Sequence, residues 1–292
     1  MSEFYKVKKE SITSIADSIR SKTGDTNNLM FPDEFVAAIE SISGGAATPP
    51  PDFTYTGMYN IIDDGDGNWR IKFLTSGVFK TTSESFTADI FLVGGGGGGS
   101  SRWAGTNSST GLDQGLGGGG GGGYTKTENN YIITPNTEYT IVIGAGGSQT
   151  TKDYNACTGN DGGSTSFASV TVAGGKGSSI SSDKGVGGNG GSGGAGYPGY
   201  TGGNGSGDYK GGEDGGDGVG NSGYAGKGQG TTTREFGEAD GTLYSTGGDY
   251  YRSVANIVAT QANTGDGGDG GGANGTAGKG ASGIVVIRNA RG

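Results

Sequence analysis

The chain contains no histidine, one cysteine and six prolines in 292 residues, and its 29 acidic residues outnumber 20 basic ones for a formal net charge of -9. Each shortage excludes something. Without His, the common Ser and Cys triads lose their general base and a zinc site loses a usual ligand. A lone Cys157 cannot close an intrachain disulfide. Scattered Lys and Arg in an acidic chain do not build the clustered patch that phosphates require, so nucleic acid is not expected as a partner. The longest apolar runs, such as "IFLV" and "GIVVI", are far short of the ~20 residues that cross a bilayer as a helix, and no membrane insertion is expected. The opening "MSEFYKVKKESITSI" has early lysines but no apolar stretch behind them, unlike a signal peptide.

What the chain has instead is glycine, 70 residues of it, against a usual share of about 7%. Seven precede Gly94 and two follow Gly280. The ends therefore read as ordinary protein and the middle does not. Residues 1–42 carry two helical patterns. Ile12, Ile15 and Ile19 fall on one face behind a Ser11 cap, and Phe35, Ala38, Ile39 and Ile42 repeat that spacing after Pro32. So small a hairpin buries too little surface to stand alone. It either packs on the rest of the chain or plugs into a larger assembly or trimerises. Residues 43–52, "SGGAATPPPD", form a linker.

Strand patterns follow from residue 53 onward. "FTYTGMYNII" and "NWRIKFLT" flank "DDGDG", where Asp64, Asp66 and Asn68 alternate as in a calcium loop. That stretch lacks the sixth-position Gly and closing Glu of such a loop, which favours a hairpin turn. "FTADIFLV" runs straight into six glycines, and the chain closes on "GIVVIRNARG". Consecutive apolar positions in both imply strands buried on two faces, so both ends of the glycine region, about 94–280, are expected to root in one β-sandwich. Between them "YIITP", "EYTIVIG", "TSFASVTVAGG" and "RSVANIVAT" keep β-character.

The glycine region keeps a beat of three. From Val186, "VGGNGGSGGAG" places Val186, Asn189, Ser192 and Ala195 three apart, and "DGGDGG" does the same with Asp266 and Asp269. A polyproline II backbone has three residues per turn and no internal hydrogen bonds, so its amides are free to bond sideways. In Gly-Gly-X, two faces can touch neighbouring threads while X points outward. The uninterrupted runs Gly94–Gly99 and Gly117–Gly123 would then sit at the centre. The fold expected is mainly β: a small N-terminal helical hairpin, then a β-sandwich with an inserted bundle of polyglycine II helices. Scarce proline and a broken triplet exclude collagen. Gly-rich disorder is opposed by the interleaved strands and by 2 Trp, 14 Tyr and 10 Phe. Calcium-binding β-rolls need an apolar residue two after the Asp, which "GGEDGGDGVG" and "GDGGDGGG" do not supply regularly.

In order, the stretches "IKFLTSGVFKTT", "ADIFLVGGGGGGS", "GLGGGGGGGY", "TPNTEYTIVIGAGG", "GGSTSF", "TVAGGKG" and "ASGIVVIR" resemble the glycine-rich domain of bacteriophage tail fibres and tail-tip receptor-binding proteins. "SITSIADSIRSKTG" with "FPDEFVAAIESI" is similar to a helical module on phage tail and baseplate proteins. The resemblance implies a structural adhesin of the virion, made in the host cytoplasm without a signal peptide. It would bind a bacterial surface receptor, a glycan or a surface protein, and would join other tail or baseplate proteins through residues 1–42, with a homotrimer as one possible assembly. The loops match no family pattern, so the receptor does not carry over.

Loops that interrupt the glycine runs are where recognition is expected, because scaffold-borne loops carry binding. Their Tyr- and Trp-rich makeup suits stacking on sugar rings. The receptor-binding candidates are Trp103, Tyr154, Tyr197, Tyr200, Tyr209, Tyr224, Tyr250 and Tyr251; the alternative for each, favoured for any single ring, is that it caps a glycine thread or covers a face of the glycine bundle. No catalytic residue, metal or cofactor is expected. GxGxxG matches are trivial in so much glycine, "GGKGSS" puts Gly where a phosphate loop needs Ser or Thr, and the pairs Glu213/Asp214 and Glu238/Asp240 suit solvated turns better than glycan hydrolysis. A rigid virion spacer and, less favoured, a polysaccharide-cleaving tail enzyme are the alternatives.

Overall fold

A computed structural model of the chain describes residues 50–82, 84–106, 113–115, 117–149, 156–181, 184–196, 233–250, 261–271 and 276–291. The helical patterns of residues 1–42, the linker up to residue 49 and "RSVANIVAT" lie outside them. Two compact units are distinguished, Met1–Pro50 with Ile62–Arg70, and Pro51–Ile61 with Ile71–Gly292.

The described part of the first unit is the tip of a hairpin between β2 (Tyr59–Gly65) and β3 (Asn68–Phe73). Gly65, Asp66 and Gly67 all turn with positive φ, the left-handed conformation that glycine adopts most readily. Asp64, one of the alternating acids, is held by Arg70 at 2.7 Å. "DDGDG" is therefore a hairpin turn.

The second unit is mainly β. Besides the hairpin strands it contains β1 (Phe53–Tyr55), β4 (Gly77–Thr81), β5 (Phe86–Val93), β6 (Ser101–Thr106), β7 (Asp113–Gly115), β8 (Thr125–Ile133) and β9 (Tyr139–Val142). Then come β10 (Ala156–Cys157), β11 (Thr165–Phe167), β12 (Val170–Val172), β13 (Ser179–Ser181), β14 (Lys184–Val186) and β15 (Ile284–Asn289). Two five-stranded sheets dominate, in the orders β1-β4-β9-β11-β12 and β2-β3-β15-β5-β8. They meet where β11 and β12 lie against β5, β8 and β15. A row of aromatic rings packs there: Tyr139 stacks on Phe167 and meets Phe79 at a tilt, and Phe73 and Tyr55 extend the row. Burial pushes the Tyr55 phenol up to about 12, and its hydroxyl donates to the Thr75 carbonyl.

The strand that precedes the glycines and the strand that follows them are direct neighbours. Ile284 pairs with Val93 and Ile287 with Ile90 in antiparallel register. Both strands are buried along nearly their whole length. Alternation sends Phe91, Val93, Ile284 and Val286 to one face, where they pack on Tyr244 and Phe236. That second cover, residues 233–245, is pinned by charge. Buried Glu235 meets Lys72 at 2.9 Å and accepts from the Tyr244 hydroxyl at 2.8 Å. Arg288 holds Asp89 and Glu238 while lying 4.0 Å from the Phe236 ring centre.

Between β5 and β15 the main chain bonds sideways, and the direction repeats every three residues. The N–H groups of Gly94, Gly97 and Ser100 donate to the carbonyls of Tyr124, Gly121 and Gly118; those of Gly95 and Gly98 to Gly163 and Asn160; those of Gly96 and Gly99 to Ala281 and Gly278. Carbonyls rotate likewise. Gly95 and Gly98 accept from Gly175 and Ser178, Gly97 and Ser100 from Gly268 and Gly271, and Gly96 from Gly147. Segment 94–100 thus has six bonded neighbours. So does 117–124, whose N–H groups reach 265–271, 173–176 and 192–195 and whose carbonyls accept from 94–100, Gly188, Gly191 and Gly248. The two centres share two neighbours, which leaves eight segments around them. Those eight close a ring, 144–149, 158–163, 173–178, 187–191, 192–196, 245–250, 264–271 and 276–283, the last bonded back to the first by Gly280 to Gly147 and Gly283 to Gly144.

Such proximity leaves no room for side chains at the centre. A Cβ on Gly120 would lie 2.2 Å from the Gly97 carbonyl oxygen, and one on Gly97 would lie 2.1 Å from that of Lys176. X positions on the ring divide into two kinds. Ala145, Ser148, Lys176 and Asn189 are exposed, as expected of outward residues. Ser192 and Ala195 are buried, because the triplet run from Val186 to Ala195 is not one thread: it reverses, with Gly188 and Gly194 bonded across the reversal. Asp266 and Asp269 also depart from the outward expectation. They turn sideways and accept the N–H groups of Thr246 and Asp249, at 2.9 and 2.8 Å, so a carboxylate supplies the acceptor where the rotation needs one. Gly120→Val, which pushes a side chain into the Gly97 carbonyl, should lower stability by at least about 3 kcal/mol. Asn189→Ser at an exposed X position should stay within about 0.5 kcal/mol. Paired thermal or denaturant unfolding measures both, and equal unfolding of the two variants would contradict the packing.

Candidate functional site

The ten segments have a sheet end and a far end. At the sheet end lie Gly94, Tyr124, Gly163, Ala173 and Gly283, next to the strands that continue from them. Ser100, Gly118 and Gly271 mark the far end. Hydroxyls finish the bonding there. Gly118 N–H donates to Ser100 Oγ at 3.0 Å, Ser100 and Ser178 hydroxyls meet at 2.7 Å, and Ser178 Oγ donates to the Val186 carbonyl at 2.7 Å. Ser101 is fully buried, and its Oγ has no partner among the described residues.

Two small sheets continue from this end. In one, β6 pairs with β10 and β7, setting Ser101 opposite Cys157, Arg102 opposite Ala156 and Trp103 opposite Gly115. The other is the β13–β14 hairpin, with Ile180 opposite Gly185. Stretches 101–116, 150–157, 179–185 and 272–275 are each bounded at both ends by far-end residues. Two other stretches differ. Gly196 and Tyr250 lie near the far end, whereas Thr233 and Gln261, where the described chain resumes, neighbour the sheet end: Tyr244 N–H donates to Thr233, and Asn263 Nδ2 donates to Leu74 and Gly283.

One charged contact marks the flank toward the far end. Lys176 Nζ reaches Asp161 Oδ2 at 2.7 Å, and Gly177 N–H donates to Asp161 Oδ1 at 3.0 Å. Partial burial pushes the Asp161 carboxyl up, but the Lys176 and Gly177 bonds outweigh it and hold it below its ordinary value. The Asp161 bond raises Lys176 in turn. Among the described residues, no group of His, Cys, Asp and Glu is arranged to hold a metal ion.

These glycines recur in a known pattern. A family described as a glycine-rich domain matches residues 74–290. The chain belongs to that family. Its glycine-rich domain starts just ahead of β4 and runs through β15, so β1–β3 precede the matched span. No curated protein matches the chain.

Of the eight aromatic candidates, two fall on described backbone of the glycine-rich domain. Trp103 stands in β6, opposite Gly115, in a far-end sheet. Tyr250 is half-buried at the end of its segment, its N–H donating to Asp249 Oδ1 at 2.8 Å. Tyr154, Tyr197, Tyr200, Tyr209, Tyr224 and Tyr251 lie outside the described residues. The stretch leading to Tyr250 divides: its part from Glu235 to Tyr244 covers the β5–β15 core, and Asp249 and Tyr250 lie near the far end. Glu238 of the acidic pair Glu238/Asp240 is engaged by Arg288 and is therefore more than a solvated turn residue. Sequence reading missed the far-end serines and the acceptor role of Asp266 and Asp269; their triplet spacing was the available signal.

Because Asp161 is lowered in the folded chain, its stabilising contribution is present above its unfolded pKa and is lost as pH falls through the lowered value. More than half of each side chain is exposed, so the contribution is under about 1 kcal/mol. Asp161→Asn should therefore unfold slightly more easily than the parent at neutral pH and equally at acidic pH. Denaturant titrations at several pH values check this; a difference that grows on acidification would contradict it.

Proposed function

We propose that the chain is a structural adhesin of a bacteriophage, or phage-derived, tail fibre or tail tip. In this reading the two facing sheets are a β-sandwich and the ten segments are a bundle of polyglycine II helices projecting from it. Six steps at the ~3.1 Å rise of such a helix carry 94–100 across about 19 Å. Side chains on loops at the far end would bind a bacterial surface receptor, a glycan or a surface protein, while residues 1–42 would join the tail or baseplate. The chain would act in the virion and catalyse no reaction.

One observation carries the reading: four stretches leave and return at the same end of a scaffold fixed by main-chain bonds. That arrangement lets loop sequence change without changing the base, because the bonds of the segments do not depend on what the loops contain. Trp103 belongs to one of these stretches and Tyr154 to its neighbour across the β6–β10 pair. Both residue types suit a carbohydrate surface.

The test is a transplant. Replacing 101–116 and 150–155 with unrelated loops of equal length should remove cell and glycan-array binding and leave the melting temperature unchanged. Trp103→Ala alone should weaken binding about tenfold or more. Unaltered binding after the transplant would point to a rigid spacer, and release of sugar from a surface polysaccharide by the parent chain would point to an enzyme; either result overturns the adhesin.

A further inference from the structure

The charges that hold the cover at residues 233–245 differ in chemistry. Arg288 serves Asp89 and Glu238, and a guanidinium, always charged, offers no free lone pair. Lysine is different, because its amine becomes a nucleophile once a proton leaves. Lys126 and Lys176 meet Glu128 and Asp161 in water, all four side chains being at least 36% exposed. Lys72 and Glu235 meet at 2.9 Å with only 17% and 2% of their side chains exposed.

Three polar atoms close a triangle there. Lys72 Nζ donates to the Tyr244 hydroxyl at 2.9 Å, that hydroxyl donates to Glu235 Oε2 at 2.8 Å, and Nζ lies 2.9 Å from the same Oε2. Aromatic rings stand beside it: Tyr244 and Phe236 each pack on Phe91, with ring centres 5.6 and 5.8 Å apart. The main chain holds both reactants independently of their contact. Lys72 stands in β3, inside the sheet between β2 and β15, while Glu235 N–H donates to the Thr242 carbonyl and Tyr244 N–H to that of Thr233. Reacting groups kept in contact behave as though present at concentrations far above any reached in solution. An ion pair withdrawn from water also carries a desolvation cost that an amide escapes.

We propose that Lys72 and Glu235 join in an intramolecular amide bond. Two protons leave Nζ for Oε2, with the Tyr244 hydroxyl accepting from the first atom and donating to the second. The nitrogen lone pair forms the Nζ–Cδ bond, the Cδ–Oε2 bond breaks, and Oε2 departs as water. An ammonium and a carboxylate thus become a neutral amide and one water, with nothing oxidised or reduced and no co-reactant. The event happens once per chain, without turnover. The bond fastens the cover to β3 and encloses residues 73–234, both central glycine segments among them, in one covalent ring.

The intact mass of the full chain, purified and denatured, should fall short of the sequence mass by one water, and digestion should yield a branched peptide joining Lys72 to Glu235. Lys72→Arg, which keeps the charge, should show its full mass. Tyr244→Phe, which keeps the ring and removes the relay, should keep most of that water. A second readout does not depend on mass. With one protease site engineered into 101–116, the cut parent should run as a single species on a denaturing gel and cut Lys72→Arg as two. Cyclisation at an Asp-Gly step also loses water, but hydroxylamine cleaves that product and leaves the amide intact. A parent of full sequence mass overturns the proposal, as does a water loss that persists in Lys72→Arg or a cut parent that separates into two fragments. A parent-like water loss in Tyr244→Phe overturns the relay through that hydroxyl.

Discussion

The structure depends on main-chain amides bonding to carbonyls of neighbouring segments in a direction that advances by one third of a turn at each residue. In a β-strand the same groups point only two ways, so a strand has two neighbours. With three directions for donors and three for acceptors, Gly94–Ser100 and 117–124 have six each. Each bond is worth only about 0.5–1.5 kcal/mol net, and glycine loses more backbone entropy on ordering than other residues. The network is favourable because the bonds form together. Contact this close also dictates composition, since a neighbouring carbonyl occupies the place where a Cβ would stand, as between Gly120 and Gly97.

The bonded glycine segments are rooted in paired strands. β5 delivers the chain into the first central segment and β15 receives it from the last ring segment, with Val93 and Ile284 side by side. Between them the chain returns to the two sheets as β8, β9, β11 and β12. Hydrophobic burial and main-chain bonding are thus segregated, with aromatic and aliphatic packing in the two sheets and amide bonding beyond them. Where a ring segment lacks a carbonyl neighbour on one side, a side chain takes its place, as Asp266 and Asp269 do for the N–H groups of Thr246 and Asp249.

Much of this was legible in the sequence because it follows from local chemistry. Consecutive apolar residues in "ADIFLV" and "GIVVIR" require two covers, and both covers are present. Uninterrupted glycine admits neighbours on every side, and the two pure runs are the two centres. Direction was not legible: a three-residue beat reads the same through a reversal, so the turn between Gly188 and Gly194 left no trace. Nor was the cover from Glu235 to Tyr244, whose anchors Lys72, Asp89 and Arg288 are remote in sequence and pair through charge that no periodicity reveals. Its Tyr and acidic residues look the same whether they face a receptor or the core.

Amide hydrogen exchange resolved by residue tests the central claim most directly. In the folded chain the N–H groups of residues 94–100 and 117–123 are predicted to exchange only through global unfolding, as slowly as those of β5 and β15, despite carrying almost no side chains. Exchange of these glycine amides within seconds under conditions where β5 and β15 stay protected would contradict it, leaving the strands as the ordered part and the glycines as a tether.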